Sequence, residues 1–195
     1  MREQFAANNL QKRLKYQMTN INMTDLQDEI EEAIRLKRDN KPVVLRNEIV
    51  DATCNIVVDK LKSTINDAGF EKVVQWYLKR LGADTALIPS KNALSKADGD
   101  VDVIGVFEDL GITVFVQAKQ YDKFVDKAAI EQLVNAYESV YKGTYPGTAV
   151  LWVVTTCDQF TQDAIDYANE NYVKCISGEE FAKRLLDAGL KNLAL

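Results

Sequence analysis

Two apolar runs joined by a short loop dominate the middle of the sequence. Residues 99–122 read GDVDVIGVFEDLGITVFVQAKQYD, and the segment EDLG between the runs is typical of a β-hairpin connection that ends at a glycine. Three polar residues interrupt the runs: Asp102, Gln117 and Lys119. A charge or an amide is costly to bury in a strand unless it is paired, bound to metal or used in chemistry. The hairpin therefore predicts both a sheet and a candidate site.

The register of this hairpin follows from its loop. We expect Phe107 to pair with Ile112 across the loop. Counting back along both strands, Asp102 then lies opposite Gln117, and Lys119 shares their face because side chains alternate with a period of two. The three polar groups are expected to converge within about 5 to 8 Å of one another. The side chains expected on the opposite face are Val103, Val114, Val116 and Ala118.

This convergence has a chemical use. A carboxylate and an amide oxygen can hold Mg²⁺, which prefers oxygen ligands, and the ion lowers the pKa of a bound water and neutralises charge on a phosphate. A neighbouring lysine can orient the nucleophile. The alternative interpretation is structural: Lys119 forms an ion pair with Asp100 or Asp102 at the edge of the sheet.

The sequence contains no histidine, and its three cysteines show no CxxC spacing. These absences argue against a zinc site and against Ser-His or Cys-His catalysis. Any hydrolysis would depend on carboxylates, lysine and a hard metal ion. We expect Cys54, Cys157 and Cys175 to be reduced and to carry no chemistry, because a free cysteine behaves mainly as a small hydrophobe.

Length and composition favour one domain with an appendage. The chain has 195 residues, of which 47% are apolar, so it can bury a sizeable core. No apolar run approaches the roughly 18 to 20 residues of a membrane span, and the polar N-terminus does not resemble a signal peptide, so we expect a cytoplasmic protein without a membrane partner. The net charge of −5 argues against general electrostatic binding of nucleic acid. Residues 59–96 are nevertheless locally basic, which allows a basic face.

The periodicity of apolar residues predicts an α/β architecture. Residues 22–40 form an amphipathic pattern, and residues 43–66 are interpreted mostly as helix with a possible strand at 43–45, so residues 1–66 are predicted to be a helical N-terminal extension. A second domain over residues 67–195 is predicted to start with a helix that ends at Gly82. The loop 88–100, the hairpin, a helix over about 127–141, a strand, a helix, a strand and a last helix follow. This order predicts a mixed sheet flanked by helices.

Five ordered segments of this domain resemble the Mrr-type restriction endonuclease catalytic domain of the PD-(D/E)xK nuclease superfamily, over about residues 68–188. The segments are GFEKVVQWYLKRLGAD, DGDVDVIGV, VQAKQY with IEQLVNA, VVTTCDQFTQDAIDYA and ISGEEFAKRLL. The pair Gln117 and Lys119 matches the Gln-x-Lys variant of the family's second strand. The resemblance implies a restriction-endonuclease-like fold, a mixed β-sheet flanked by helices.

The resemblance also implies a role for each matching residue. Asp102 would be a metal-binding carboxylate, Gln117 a metal ligand in place of the usual second acid, and Lys119 the catalytic lysine. Glu71 would be the acid on the opening helix that reaches the metal or its water, and Gln132 the glutamine on the helix behind the site. Structural alternatives stay open at this point: Glu71 as a solvated acid of a first helical turn, and Gln132 as a surface residue. Asp98 and Asp100 are not clearly placed in the metal shell.

The implied function is a Mg²⁺-dependent DNA endonuclease of restriction or defence type, with Mn²⁺ as a substitute ion. Two alternatives remain: a resolvase or repair nuclease acting on branched DNA, and a nuclease-fold module that binds without cleaving. The expected partner is DNA. A homodimer is expected because double-strand cleavage needs two active sites or two visits. Residues 1–66 would dimerise, bind DNA, or dock to a motor or another defence-system subunit.

Overall fold

A five-stranded mixed sheet is the centre of the protein, which is described by a computed structural model for residues 23–39, 46–89, 101–120 and 123–190. Its strands lie in the order β1-β2-β3-β5-β7. Their bounds are Thr85–Leu87 for β1, Val103–Phe107 for β2, Ile112–Lys119 for β3, Thr148–Thr155 for β5 and Val173–Ile176 for β7. Two short parallel strands, β4 (Phe124–Val125) and β6 (Gln159–Phe160), form a separate small sheet.

Six α-helices surround this sheet in the described part of the chain. They are α1 (Met23–Asp39), α2 (Arg46–Thr64), α3 (Asp67–Arg80), α4 (Lys127–Ala136), α5 (Gln162–Glu170) and α6 (Gly178–Leu185). α4 and α6 are each followed by a π-type turn, Tyr137–Tyr141 and Leu186–Leu190 respectively. None of the described helices combines the length and apolar character that a membrane crossing requires. The predicted α/β class, a mixed sheet flanked by helices, is confirmed.

The central hairpin has the predicted register. Phe107 pairs with Ile112 and Val103 pairs with Val116, in antiparallel orientation. The connection is the predicted four-residue loop, closed by a hydrogen bond from the Gly111 amide to the Glu108 carbonyl at 3.0 Å. On its other side β3 pairs in parallel with β5 along its whole length. The strand with the Gln-x-Lys segment is therefore held from both sides.

The sheet separates two apolar cores, as expected for a strand that is covered on both faces. The first core contains Val103, Val114 and Val116, and α3 and α6 pack on it. The second core contains Ile104 and Phe115, and α4 and α5 line it. Residues 103, 114 and 116 thus occupy the face opposite to that of Gln117 and Lys119, as predicted.

The N-terminal helices belong to the first core. Buried side chains of α1 and α2, among them Leu26, Ile30, Val57 and Leu61, form one cluster with Phe70 and Phe181. The aromatic rings of Phe70 and Phe181 meet edge to face, with their centroids 5.8 Å apart. The boundary between residues 66 and 67 stays a prediction, and the part of the extension before residue 23 lies outside the described residues.

Helix α3 is held against β2 by a close approach of Leu78 to Gly105. A Cβ on Gly105 would lie 2.9 Å from Leu78 Cδ1, which is too close for two carbons. Leu78 is fully buried. After α3, the chain passes the C-terminal end of β2, where the Asp84 amide donates to the Val106 carbonyl at 2.9 Å. The N-terminal end of α3 therefore points toward the opposite end of β2, where Asp102 lies.

Several short elements differ from those predicted. Strand β1 and the small β4–β6 sheet were not predicted, because strands of two or three residues show no periodicity. The predicted helix over about 127–141 ends as an α-helix at Ala136 and continues as the π-type turn. The possible strand at residues 43–45 and the loop residues 90–100 lie outside the described residues.

Candidate active site

Asp102 lies directly before β2 and continues its ladder. Its backbone amide donates to the Val116 carbonyl at 2.9 Å. Its side chain is 5% exposed, and Oδ2 accepts hydrogen bonds from Gln117 Nε2 at 2.9 Å and from the Ala118 amide at 2.8 Å. The predicted proximity of Asp102 and Gln117 is therefore present as a direct contact. These two donors offset part of the cost of burying the carboxylate.

Gln117 has one satisfied end and one unsatisfied end. The side chain is 3% exposed, and its Nε2 donates to Asp102. Its Oε1 is buried and finds no hydrogen-bond partner among the described residues. A buried amide oxygen without a partner costs free energy, and native proteins rarely leave one without a reason. An unsatisfied oxygen beside a buried carboxylate fits the oxygen-donor chemistry that Mg²⁺ requires.

Lys119 lies two residues after Gln117 on β3, so the two side chains are on the same face of the strand. Its Nζ donates to Gln132 Oε1 at 3.1 Å, and this pair is reached by solvent. Gln132 comes from α4, which follows the strand in the chain and covers the second core. On the neighbouring strand Lys119 pairs with Thr155, and the Thr156 amide donates to the Lys119 carbonyl at 3.2 Å. The backbone of the lysine is therefore fixed while its ammonium group stays accessible.

Glu71 lies on α3 with its side chain 7% exposed, so the interpretation of this residue as a solvated acid is wrong. Glu71 shares a helix face with Leu78 two turns later, and that face lies on β2. Going back from Leu78 to Glu71 covers about 10 Å of helix, and going back from Gly105 to Asp102 covers about 10 Å of strand. Both acids are thus at the same end of the sheet.

The arrangement brings the predicted residues together in two contacts. Asp102 contacts Gln117, Lys119 contacts Gln132, and Glu71 approaches the same end from the other face of the sheet. Asp98 and Asp100 lie outside the described residues. Across the described ranges, no group of three or more Cys, Asp or Glu side chains could hold a metal ion. A metal held here would therefore draw on the amide oxygen of Gln117 as well as on carboxylates.

The cysteines take no part in this arrangement. All three are free thiols, as expected, and Cys54 and Cys157 are buried. Burial raises the pKa of the Cys175 thiol to about 11 and also raises the pKa of Cys54. A thiol with a raised pKa is not a thiolate nucleophile at neutral pH. The hydrolytic chemistry open to this chain rests on its carboxylates, amides and lysine.

One residue next to the site was not singled out by any motif. Gln120 follows Lys119, and its Nε2 donates to backbone carbonyls at the end of α2, including that of Ile65 at 2.8 Å. These partners are distant along the chain. No local pattern in the sequence signals such a contact.

Two comparisons with known proteins found a match to this chain. A family model described as Mrr_cat, restriction endonuclease, matches residues 62–185, a range that contains every predicted site residue. A solved structure, the MspJI restriction endonuclease in complex with a 27-mer oligonucleotide, is 20% identical to this chain, with a TM-score of 0.47. The similarity covers 75% of this chain and 34% of that chain, so this chain spans well under two thirds of that protein's length. No curated protein matches the sequence.

Proposed function

This chain belongs to the restriction endonuclease family whose model matches residues 62–185, and from that membership we propose that it is a divalent-metal-dependent DNA endonuclease of restriction or defence type. The proposed reaction is hydrolysis of a DNA phosphodiester bond by water. Mg²⁺ is the proposed cofactor, with Mn²⁺ as a substitute.

The observation that carries this proposal is the buried pair of Asp102 and Gln117. Their contact leaves one carboxylate and one unsatisfied amide oxygen side by side at the end of β2. A purely structural pair would be expected to satisfy both ends of a buried amide. The unsatisfied oxygen of Gln117 beside the carboxylate of Asp102 therefore supports the proposal that this site binds a cation.

We assign the metal-binding role to Asp102, Gln117 and Glu71. All three are buried and offer oxygen donors, which suits a hard divalent ion. When bound, such an ion lowers the pKa of a water and neutralises charge on a phosphate. Asp102 is held in place for this task by its hydrogen bonds from Gln117 and from the Ala118 amide.

Lys119 is the proposed catalytic lysine. Its ammonium group can orient the attacking water by hydrogen bonding and can offset negative charge that grows on the phosphate. The bond to Gln132 Oε1 at 3.1 Å limits the directions that Nζ can take. Gln132 is therefore assigned to the active site as the residue that aims the lysine, which is a form of preorganisation.

DNA is the proposed partner, and a homodimer is the expected assembly, because double-strand cleavage needs either two active sites or two visits by one site. Residues 1–66 are proposed to dimerise, to bind DNA, or to dock to a motor or other defence-system subunit. The cytoplasmic location expected from the sequence also stays a prediction.

Cleavage of supercoiled plasmid by the full chain tests the proposal. We expect nicked or linear product with Mg²⁺ or Mn²⁺, and none with a chelator. Cleavage confined to four-way or flapped DNA would favour the resolvase or repair alternative. Retention of labelled duplex without product under any divalent ion would favour the non-catalytic module. Methylated and unmethylated plasmids should be compared, because restriction enzymes differ in their dependence on base modification.

A further inference from the structure

The side chain of Gln120 joins the end of the catalytic strand to the end of a distant helix. Its Nε2 lies 2.9 Å from the Leu61 carbonyl and 2.8 Å from the Ile65 carbonyl, with the Lys62 carbonyl at 3.4 Å. Gln120 lies 59 positions after Leu61 and 55 positions after Ile65 in the sequence. The contact is partly buried, so it is shielded from competing water.

The carbonyls that Gln120 reaches are those that a helix cannot satisfy by itself. The last four carbonyl groups of an α-helix have no intrahelical donor. Here the amide of Gln120 supplies one from another part of the chain, at the C-terminal end of α2. The contact therefore fixes the point at which α2 stops.

The residues after this point lead directly to Glu71. Asn66 caps α3, with its Oδ1 accepting from the Gly69 amide at 3.0 Å and its carbonyl accepting from the Phe70 amide at 2.8 Å. Glu71 directly follows Phe70 in the first turns of α3. A movement of the α2 end would thus be transmitted through a capped, two-residue junction to the first turns of α3.

We propose that Gln120 is a positioning residue that sets Glu71 relative to Lys119. Gln120 and Lys119 are consecutive on the backbone, so one end of the link moves with the lysine. The other end is the α2–α3 junction, which carries Glu71. This inference rests on the proposed nuclease function for its kinetic consequence, but the mechanical link can be measured without any catalysis.

The chain offers a matched control in Gln27. Its Nε2 donates to the Gly189 carbonyl at 3.1 Å, in another partly buried contact between the N-terminal helices and the rest of the chain. Gln27 thus has the same chemistry and a similar structural role, but its partner belongs to the C-terminal turn. If Gln120 only stabilises the fold, both glutamines should behave alike.

The test compares Gln120→Met, Gln27→Met and Gln120→Lys in the full chain. Methionine keeps the length of the side chain and removes its donors, whereas lysine restores a donor that also suits a helix C-terminus. We expect Gln120→Met to lower kcat about 10- to 100-fold with little change in KM, as for a displaced active-site group. Gln27→Met should keep the wild-type kcat at saturating DNA, because any part that residues 1–66 take in binding DNA would change KM instead. Gln120→Lys should recover most of the kcat that Gln120→Met loses.

Amide hydrogen exchange supplies a readout that needs no activity. The amides of Gly69, Phe70 and Glu71 should exchange faster in Gln120→Met than in wild type, and not in Gln27→Met. Should Gln120→Met fail to fold, Gln120→Asn, with an amide one methylene short, replaces it in both assays.

Distinct results would overturn the inference and the proposed function. Wild-type kcat in Gln120→Met would remove the positioning role and leave the nuclease proposal standing. An equal loss of kcat in Gln27→Met would show that the effect is general destabilisation. If the wild-type protein cleaves no DNA, the nuclease proposal fails, and unchanged exchange at residues 69–71 would then refute the mechanical link as well.

Discussion

Gln117 Nε2 donates to Asp102 Oδ2 over 2.9 Å, and this bond unites the two polar groups that interrupt the apolar hairpin. Because of this bond, the orientation of the Gln117 amide depends on the Asp102 carboxylate, and the carboxylate depends on the amide for a hydrogen-bond donor. The bond commits the nitrogen of Gln117 to Asp102 and so leaves its oxygen, rather than its nitrogen, for a cation. Substitutions at either position should therefore change both stability and metal response.

Lys119→Ala is expected to abolish cleavage while leaving the free energy of unfolding within about 1 kcal/mol of wild type. The reason is that Lys119 Nζ makes a solvent-reached hydrogen bond, and such contacts contribute little to stability. Plasmid cleavage and urea unfolding measure the two quantities. Lys142→Ala is the control, because Lys142 is an exposed lysine that is paired with Glu138 and follows the π-type turn Tyr137–Tyr141. A wild-type rate in Lys119→Ala would show that the lysine is not catalytic.

Asp102→Ala is expected to abolish cleavage and also to lower the free energy of unfolding by about 1 to 3 kcal/mol. The loss arises because Gln117 Nε2 and the Ala118 amide both lose their acceptor. Circular dichroism should show a folded protein, with a lower urea midpoint than Lys119→Ala. Residual cleavage at the wild-type rate in a folded Asp102→Ala would contradict the metal-binding role.

Gln117→Glu is expected to stay active and to bind metal more tightly, because an anionic oxygen is a better ligand for Mg²⁺ than an amide oxygen. It replaces the donor of the 2.9 Å bond by a second carboxylate, so the protein without metal should be less stable than wild type. Thermal melts with a chelator and with Mg²⁺ should therefore diverge more than in wild type. Complete inactivity would indicate that the hydrogen bond from Nε2 is essential.

Divalent ions are expected to raise the melting temperature of the wild-type protein by mass action. Mg²⁺, Mn²⁺ and Ca²⁺ should all do so, with Ca²⁺ supporting little cleavage. The shift should vanish in Asp102→Asn, which keeps the shape of the side chain and removes its charge. A melting temperature indifferent to millimolar ions, with and without DNA, would favour the non-catalytic binding module.

Gly105→Ala is expected to lower the free energy of unfolding by about 1 to 3 kcal/mol, because its new methyl group would meet the fully buried Leu78 at 2.9 Å. Since Leu78 and Glu71 lie on the same helix face, the substitution should also lower the cleavage rate. Adding Leu78→Val removes the Cδ1 atom that is contacted most closely, so the double variant should be less impaired than the sum of the single variants predicts. Full additivity would show that the two residues do not interact.

The hairpin could be predicted from the sequence because its determinants are local. A four-residue loop fixes the pairing of Phe107 with Ile112, and the two-residue period then assigns every side chain to a face. The contact of Asp102 with Gln117 follows from that register alone. The resemblance to the family placed Gln132 on the helix behind the site, but its hydrogen bond with Lys119 was not predicted, since no local rule places a helix side chain against a strand residue.

Other features depend on tertiary packing and left no local signal. The close approach of Leu78 to Gly105, which places the helix face of Glu71 on β2, is one of them. Strand β1 has only three residues, and its strand conformation depends on its pairing with β2, in which Thr85 lies opposite Val106. The bonds of Gln120 join segments 55 and 59 positions apart, so only the folded structure shows them.

The separations along the chain imply an order in which the site is assembled during folding. The Asp102–Gln117 and Lys119–Gln132 contacts close loops of 15 and 13 residues, whereas Gln120 reaches Ile65 across 55. Closing a short loop costs less entropy than closing a long one, so contacts between residues close in sequence form earlier than long-range contacts. We expect the acid, the amide and the lysine to meet first and Glu71 to join them last. A partly folded chain would then hold most of the site without the helix that completes it.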